Sequence, residues 1–417
     1  MSVYRPLADP RPAANANDSN GISVEPARLE SARQRIGLVV PEVSGNEWAY
    51  IKQCLDTGWV SSVGSFVDRF ETEFAARLGT AHAVATVNGT SALHVALLVA
   101  GVQPGDEVLM PSFTFIAPAN AVRYAGAWPV FVDAEEATWQ MDVGQAVEFL
   151  EQQCDWRDGA LWNRESGRRI GAILPVHVLG HPVDTNPLLA AAREFQIPVV
   201  EDAAESLGAM YRDRPVGRLG TLACFSFNGN KVITTGGGGM IVTDDPALAT
   251  RARYLSTTAK DDGNEGVYGA VGFNYRLTNL QAAMGCAQLE RLDEFLAAKR
   301  RIATHYAEAL GELPGLTPMP EAPWARHAFW MYSVRIDAAV ARCTARELRQ
   351  HLKQASIDCR SFWQPMHLSP AHAGAQVLGG DVAARLYDEV LSLPCSSGLS
   401  EADQDTVIST IREYLTQ

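Results

Sequence analysis

The sequence predicts an α/β protein: a large domain on a mostly parallel central sheet, residues 36–290, then a connector helix and a smaller C-terminal α+β domain, residues 291–417. Three observations carry this reading. Between residues 82 and 244 short apolar runs alternate with amphipathic stretches of helical length, the pattern of βαβ units whose strands are buried on both faces. Residues 279–311 read as nearly continuous helix, with Leu280, Met284, Ala287 and Leu289 on one stripe. Beyond the proline-rich LPGLTPMPEAPW (313–324), AFWMYSVRI reads as a strand, TARELRQHLKQASI as a helix and residues 400–417 as another helix.

In chain order, residues 1–35 are rich in Ala, Asn, Pro and Arg, with no apolar stretch of the signal-peptide type, and predict a disordered tail. IGLVV from Ile36 predicts a short strand. Ser44-Gly45-Asn46-Glu47 has capping-box spacing, so a helix should follow, with Trp48, Ile51 and Leu55 as its apolar face and Gly58 as its stop. A second helix places Phe66, Phe70, Phe74 and Leu78 on one face. The runs HAVATVN, DEVLMPS, WPVFVDA, AILPVH, PVVEDAA, LACFSFN and GGMIVTD are the strands, and residues 154–170 read as an exposed polar insertion. In sheets of this kind ligands bind at the carboxyl ends of the strands.

Apolar residues make up 47% of the chain and charged ones 20%, enough for a large core. The balance of 35 Lys and Arg against 48 Asp and Glu gives a net charge of −13, which disfavours nucleic acid and anionic lipid as partners. The 7 cysteines form no CxxC pair, which fits a reducing compartment and no structural metal. No apolar run approaches the roughly 20 residues of a membrane helix. A cytoplasmic enzyme is the expectation.

The densest chemistry lies in EDAAESLGA (201–209), SFNGNK (226–231) and TTGGGGMIVTD (234–244). Asp202 ends one predicted strand and Lys231 follows another, so both can project over the same sheet edge. A carboxylate and a lysine with Ser, Asn and Gly nearby suggest pyridoxal phosphate. The lysine amine forms a Schiff base with the cofactor aldehyde, and the carboxylate keeps the pyridine nitrogen protonated, so that the ring can accept electrons. Taken singly, a solvated loop lysine and a helix-capping or surface acid are the commoner explanations of Lys231 and Asp202, and a flexible turn explains the glycine run equally well. Upstream, VNGTSALH (87–94) runs a strand through Gly89, Thr90 and Ser91 into a helix, where small residues and a helix N-terminus suit a phosphate. A plain helix cap would look the same. The joint order of a phosphate-type turn, an aromatic at Phe115, an Asp at a strand end and a Lys after a strand is what points to the cofactor.

These segments resemble the DegT/StrS sugar aminotransferases, pyridoxal phosphate enzymes of fold type I that aminate nucleotide-linked ketosugars. The resemblance spans residues 36–400 and is carried by GWVSSVG (58–64), NGTSALH (88–94), PGDEVLMPSFTFIA (104–117), ILPVHVLGHPVD (173–184), EDAAESLGA, FSFNGNK, TTGGGGMIVT and NYRLTNLQAAMG (274–285). GNEWAYIKQCLDTGWVSSVG (45–64), the 154–170 insertion and SFNGNKVITTGGGGM (226–240) are most similar to the LegC branch, associated with legionaminic acid and related bacterial surface sugars.

The resemblance implies roles. Lys231 is the Schiff-base lysine and proton carrier, Asp202 the pyridinium partner and Phe115 the aromatic on the ring. Glu205 stands where many relatives have Gln or His. Gly89, Thr90, Ser91, Ser226 and Asn228 belong to the cofactor site, with Gly89, Thr90 and Ser226 in the phosphate cradle. Asn274 reaches the phosphate of a neighbouring subunit, which implies a homodimer with shared sites. Trp59, Val60 and Ser61 border the sugar site. His177, His327 and Arg360 are further candidates there, for each of which a core histidine or a structural arginine is an equal explanation. The implied reaction takes an amino group from L-glutamate to C4 of a UDP- or GDP-linked 4-keto-6-deoxy-N-acetylhexosamine. The dehydratase branch of the fold has His at the lysine position, so Lys231 favours amination. A noncatalytic sensor of the same fold would be free to lose Lys, Asp or the cradle, and all are present.

Overall fold

The computed structural model describes residues 35–263 and 265–416. The expected tail therefore lies, apart from Arg35, outside the described residues. In chain order the first part contains α1 (Glu47–Thr57), α2 (Ser65–Leu78), β1 (His82–Thr86), α3 (Gly89–Val99), β2 (Glu107–Pro111), α4 (Ile116–Tyr124) and β3 (Trp128–Val132). Then come α5 (Val143–Gln152), β4 (Cys154–Arg157), β5 (Ala160–Asn163), β6 (Ile170–Ile173), α6 (Thr185–Glu194), β7 (Val200–Asp202), β8 (Met210–Tyr211) and β9 (Arg214–Pro215). They are followed by β10 (Leu222–Ser226), β11 (Gly239–Thr243), α7 (Pro246–Ser256), β12 (Lys260–Asp262), β13 (Val267–Tyr268), α8 (Asn279–Glu290) and α9 (Leu292–Gly311). The last part holds β14 (Leu316–Pro318), β15 (Ala325–Arg326), β16 (Tyr332–Ile336), α10 (Ala338–Ala341), α11 (Ala345–Gln354), β17 (Arg360–Ser361), β18 (Gln376–Leu378), α12 (Asp381–Glu389), β19 (Val390–Leu393) and α13 (Glu401–Leu415).

The central layer runs β18-β3-β2-β6 and β7-β10-β11-β1, joined by parallel bridges from Ile173 to Val199 and from Val176 to Asp202. Its pairings are parallel except those of β11, which is antiparallel to β1 and β10. Strand residues alternate between two cores. Leu109, Val130, Ile173, Phe225 and Val242 face one, while Val108, Phe131, Ala172, Cys224 and Ile241 face the other. Each fully buried side chain of this size is worth roughly 1.5–3 kcal/mol, and helices cover both faces as a buried parallel sheet demands. On one side Phe70 and Phe74 of α2 pack edge-on against Phe225 and Phe227, with centroids 5.1 to 5.4 Å apart.

Several local expectations change. The IGLVV run forms no strand; Ile36 makes only an isolated bridge with Ile357. The face of α1 that is buried carries Glu47 and Cys54, whereas Trp48 and Leu55 are 75% and 56% exposed. Glu47 is held by the Gln288 amide, at 2.6 Å, and by the Gly45 N–H, at 2.7 Å, so polar anchoring rather than apolar periodicity sets the rotation of the helix. The insertion near 154–170 is a hairpin of β4 and β5. The connector breaks at Arg291, between α8 and α9. Residues 328–331, expected to open the strand of AFWMYSVRI, lie before β16 as irregular backbone.

The C-terminal sheet, β14-β16-β19-β17, is antiparallel. The expected boundary at residue 290 is crossed twice: β18 adds to the central sheet beside β3, and β15 pairs with β8. Among the described residues no helix is long and apolar enough to cross a membrane.

Candidate active site

At the carboxyl edge of the central sheet lies a cavity of ≈ 480 Å³, within the range of about 300–1,000 Å³ usual for small-molecule sites. Its lining draws on the ends of five of the eight strands of the central layer. Asn88, Gly89 and Thr90 follow β1, Thr114 and Phe115 follow β2, Val176 follows β6, Asp202 ends β7 with Glu205 just beyond, and Ser226 ends β10 with Asn228, Asn230 and Lys231 after it. Trp330, Arg360 and Trp363 complete it from the C-terminal segment.

Each position has a local cause. Asn88 caps α3, its side chain accepting from the Ser91 N–H at 2.8 Å, which leaves the first amides of the helix at the cavity. Gly89 is required by close approach: a Cβ there would stand 2.8 Å from Cβ of Ser226. After β10 a turn closes with the Lys231 N–H donating to the Asn228 carbonyl at 3.0 Å, and the Thr235 N–H returns to the Phe227 carbonyl at 2.9 Å. The glycine run 236–239 is not part of the lining. It is a packing feature, since a Cβ on Gly239 would sit 2.5 Å from the Asn88 carbonyl oxygen.

Lys231 Nζ donates to Glu205 Oε1 at 3.3 Å and lies 3.8 Å from the centroid of the Trp330 ring. The other oxygen of Glu205 accepts from the Leu179 N–H at 2.8 Å. To present that N–H, Leu179 adopts φ +60°, a left-handed conformation that costs a non-glycine residue about 1 kcal/mol or more. Burial raises the Glu205 carboxyl above its ordinary range, and Lys231 and the Leu179 amide pull it back. Asp202 is raised by burial too, against the pull of the Ala204 N–H, Lys231 and His177. Its Oδ1 accepts from Ala204 at 3.0 Å, and the other carboxylate oxygen is the natural partner for a cation brought into the cavity.

His177 and Glu201 are wired into the core beneath this edge. The Val183 N–H donates to His177 Nδ1 at 3.0 Å, so Nε2 carries the proton and faces Glu201 Oε2 at 3.1 Å. Glu201 also accepts from Gly217, Leu219 and Gly220 at 2.7 to 2.9 Å. Despite burial, the His177 contact and these amides lower its pKa. Both ring nitrogens of His177 are thus committed, and the residue does not reach the cavity. His327 is also buried away from it, stacked on Phe329 with centroids 4.1 Å apart, its Nδ1 accepting from the Phe329 N–H.

The other sequence candidates divide. Gly89, Thr90, Phe115, Asp202, Glu205, Ser226, Asn228, Lys231 and Arg360 line one cavity. Ser91 lies in the first turn of α3, outside the lining. Trp59 and Ser61 sit in an exposed loop held by Asn279, whose amide donates to the Trp59 carbonyl and whose N–H donates to the Ser61 carbonyl. Asn274 is exposed and bridges Thr257, away from its own cavity. Sequence reasoning missed Trp330 and Trp363. Both lie in short segments with no strand-end signature, and only the unusual density of Trp and Phe near 329–330 and 362–363 could have drawn attention.

The lining suits pyridoxal phosphate. The Thr90 and Ser226 hydroxyls with the N-terminus of α3 form an anion cradle whose closeness requires Gly89. Phe115 and Val176 offer apolar surface to a flat ring, Asp202 a buried carboxylate for its nitrogen, and Lys231 an amine for its aldehyde.

Comparison with known proteins agrees. The chain is 42% identical over 382 residues to GDP-perosamine synthase of Caulobacter vibrioides, covering 91% of this chain and 98% of that one. It is 36% identical over 374 residues to GDP-perosamine synthase of Escherichia coli O157:H7, covering 90% and 97%. Among solved structures, S. venezuelae DesV superposes with a TM-score of 0.79 at 34% identity, over 89% of this chain and 95% of that one. A profile of the DegT/DnrJ/EryC1/StrS aminotransferases matches residues 41–412. The protein is a pyridoxal phosphate-dependent aminotransferase and belongs to the DegT/DnrJ/EryC1/StrS aminotransferase family.

Proposed function

We propose that the enzyme transfers an amino group from L-glutamate to C4 of a nucleotide-linked 4-keto-6-deoxy sugar carried on guanosine diphosphate. The observation that carries this is the gathering of Lys231, Asp202, Glu205 and the Thr90–Ser226 cradle around one cavity. The names of the relatives at 42% and 36% identity support the guanosine carrier. They favour it over the uridine carrier, the N-acetylhexosamine and the legionaminic acid-type product that the LegC likeness implies.

Bound pyridoxal phosphate supplies an aldehyde that takes up the amine and a ring that stores the electron pair of the broken C–H bond. Lys231 would hold the cofactor through its amine at rest and, with that amine free, would take the α proton of the donor at Nζ and later give a proton to the sugar carbon. Glu205, 3.3 Å from Nζ, would stabilise the amine when it is charged. Asp202 would hold the ring nitrogen protonated, and Thr90, Ser226 and the α3 amides would hold the phosphate. Arg360, which makes no ion pair among the described residues, meets the anionic part of each substrate, with Trp363 beside it. The active unit is a homodimer: exposed Trp48, Trp59 and Val63 form an apolar surface for a second copy, and Asn274 is free to reach the partner's cavity.

The test is an absorption spectrum of the purified enzyme before and after L-glutamate, then after a GDP-linked or a UDP-linked 4-keto-6-deoxy sugar. Glutamate should convert the yellow cofactor to its pyridoxamine form, and the GDP-sugar should restore it. No response to any amino donor would remove the aminotransferase reading of this cavity, while restoration by the UDP-linked N-acetylhexosamine alone would return the LegC-like substrate.

A further inference from the structure

Trp330 touches the reactive lysine in two ways. Its ring centroid lies 3.8 Å from Lys231 Nζ, well inside the roughly 6 Å within which an ammonium is attracted to an aromatic face. Its indole N–H donates at 2.5 Å to the carbonyl of Asn230, the residue just before Lys231. One side chain therefore grips both the backbone that carries the lysine and the amine at its end.

Trp330 is in turn fixed from behind by a lysine of another kind. Lys299, on α9, is 2% exposed. Its Nζ donates to the Trp330 carbonyl at 2.9 Å and to the Cys395 carbonyl at 2.7 Å. Among the described residues no carboxylate accepts from it, so a long, entropically costly side chain is buried to satisfy two carbonyls. The indole also stacks at 11° on Trp363, centroids 6.3 Å apart. A ring secured at its backbone, its N–H and one face keeps a fixed place.

We propose that Trp330 is a positioning residue for Lys231: its π face and Glu205 hold the amine at a set point whenever the amine is not bonded to the cofactor, and Lys299 holds Trp330 in register. The inference rests on the reading of Lys231 as the reactive lysine. The charged groups around that amine are Asp202 at the end of β7, Glu205 just after it, His177 beneath them and Arg360 from β17. None of them is altered by substitution at Trp330.

The experiment compares Trp330→Phe with Trp330→Leu in the holoenzyme. Phe and Leu are close in volume and both lack the indole N–H, so the difference between them isolates the π face. After L-glutamate has released the lysine, Lys231 is trace-acetylated across pH and the labelling midpoint is read by peptide mass spectrometry. The expected result is a proton affinity of Lys231 roughly threefold lower in the Leu variant than in the Phe variant. Both variants should run the glutamate half-reaction about tenfold slower than wild type with KM for glutamate unchanged within about twofold, since the grip on Asn230 is gone. Equal midpoints in the two variants, or a wild-type half-reaction rate in both, would overturn the proposal. A Leu variant recovered unfolded is replaced by Trp330→Met, which is also ringless. A wild-type enzyme that ignores glutamate defeats the functional reading itself, and that failure is visible before any variant is made.

Discussion

The cavity has two walls of different construction. Gly89, Thr90, Asp202, Ser226 and Lys231 sit at or within a few residues of a strand or helix end in the central layer, where the sheet's ladders fix the backbone and short polar side chains need little further support. Trp330, Arg360 and Trp363 come from a segment with little regular structure, and they are placed by contacts between distant parts of the chain: Lys299 to the Trp330 carbonyl, Phe362 against Phe113 at 5.0 Å and His367 Nδ1 to Ser112 Oγ at 2.6 Å. The first wall holds the groups that do chemistry on any amine. The second holds large aromatic surface and a cation: on the proposed reading Trp330 serves the reactive lysine, while Arg360 and Trp363 meet the substrate. The first wall is secured by topology, and the second by side chains that secure one another.

This contrast can be broken in several ways. Lys231→Ala should abolish turnover by about 10³-fold or more while leaving the fold intact; steady-state transamination by a well-folded variant would move the chemistry off the first wall. His177→Ala should cost stability, about 1–3 kcal/mol, because it removes one hydrogen-bond donor from the buried Glu201 carboxylate and leaves the Val183 N–H without its acceptor. Denaturant unfolding reads that loss, and below the transition KM for the sugar should stay near wild type, as befits a residue outside the cavity.

A third test uses pH. Burial lowers His181, leading all other influences, from the ordinary 6.5 to about 4. The unfolded chain therefore binds the proton more tightly, so this histidine's contribution to stability is complete above pH 6.5 and is lost as pH falls toward 4, by up to about 3 kcal/mol. Asp202 and Glu205, raised by burial, act in the opposite sense over the acidic range, so the useful quantity is the difference between wild type and His181→Gln. That difference should grow below pH 6.5; a constant offset would mean that the histidine does not titrate between the two states. The smallest expected effect belongs to the second wall: Arg360→Ala should raise KM for the nucleotide sugar about tenfold with kcat changed less. A fall in kcat with KM constant would instead place Arg360 with the chemical groups.

Much of the first wall was legible before the structure because strand ends advertise themselves. The run PVVEDAA locates Asp202 by its apolar residues, and LACFSFN locates Ser226 and the turn to Lys231. Of the second wall only Arg360 was legible, and that through the family resemblance rather than from periodicity. Arg360 precedes Ser361 in a two-residue strand, and nothing in periodicity tells Trp330 from the core aromatics that follow it. The helix at 47–57 misled for a different reason: Trp48 and Leu55 have the spacing of a buried face, but Glu47 finds Gln288 and the helix is turned by about one residue, which keeps Ile51 on the core and exposes the other two. His177 was a sugar-site candidate only through the resemblance, with a core histidine as an equal explanation, and the hydrogen bonds to Val183 and Glu201 show that both of its nitrogens are spent on the core.

The edge strand β18 bears on how the protein is made. Residues 376–378 complete the central sheet beside β3, Gln376 against Val130 and Leu378 against Val132, although most other strands of that layer precede them by far in the chain. During synthesis the exposed flank of β3 must wait, unpaired and rich in Val and Phe, until nearly the last residues leave the ribosome. A nascent or truncated chain ending before Gln376 would present that open flank to its neighbours, so the yield of soluble enzyme should be unusually sensitive to premature termination and to slow elongation over its final segment.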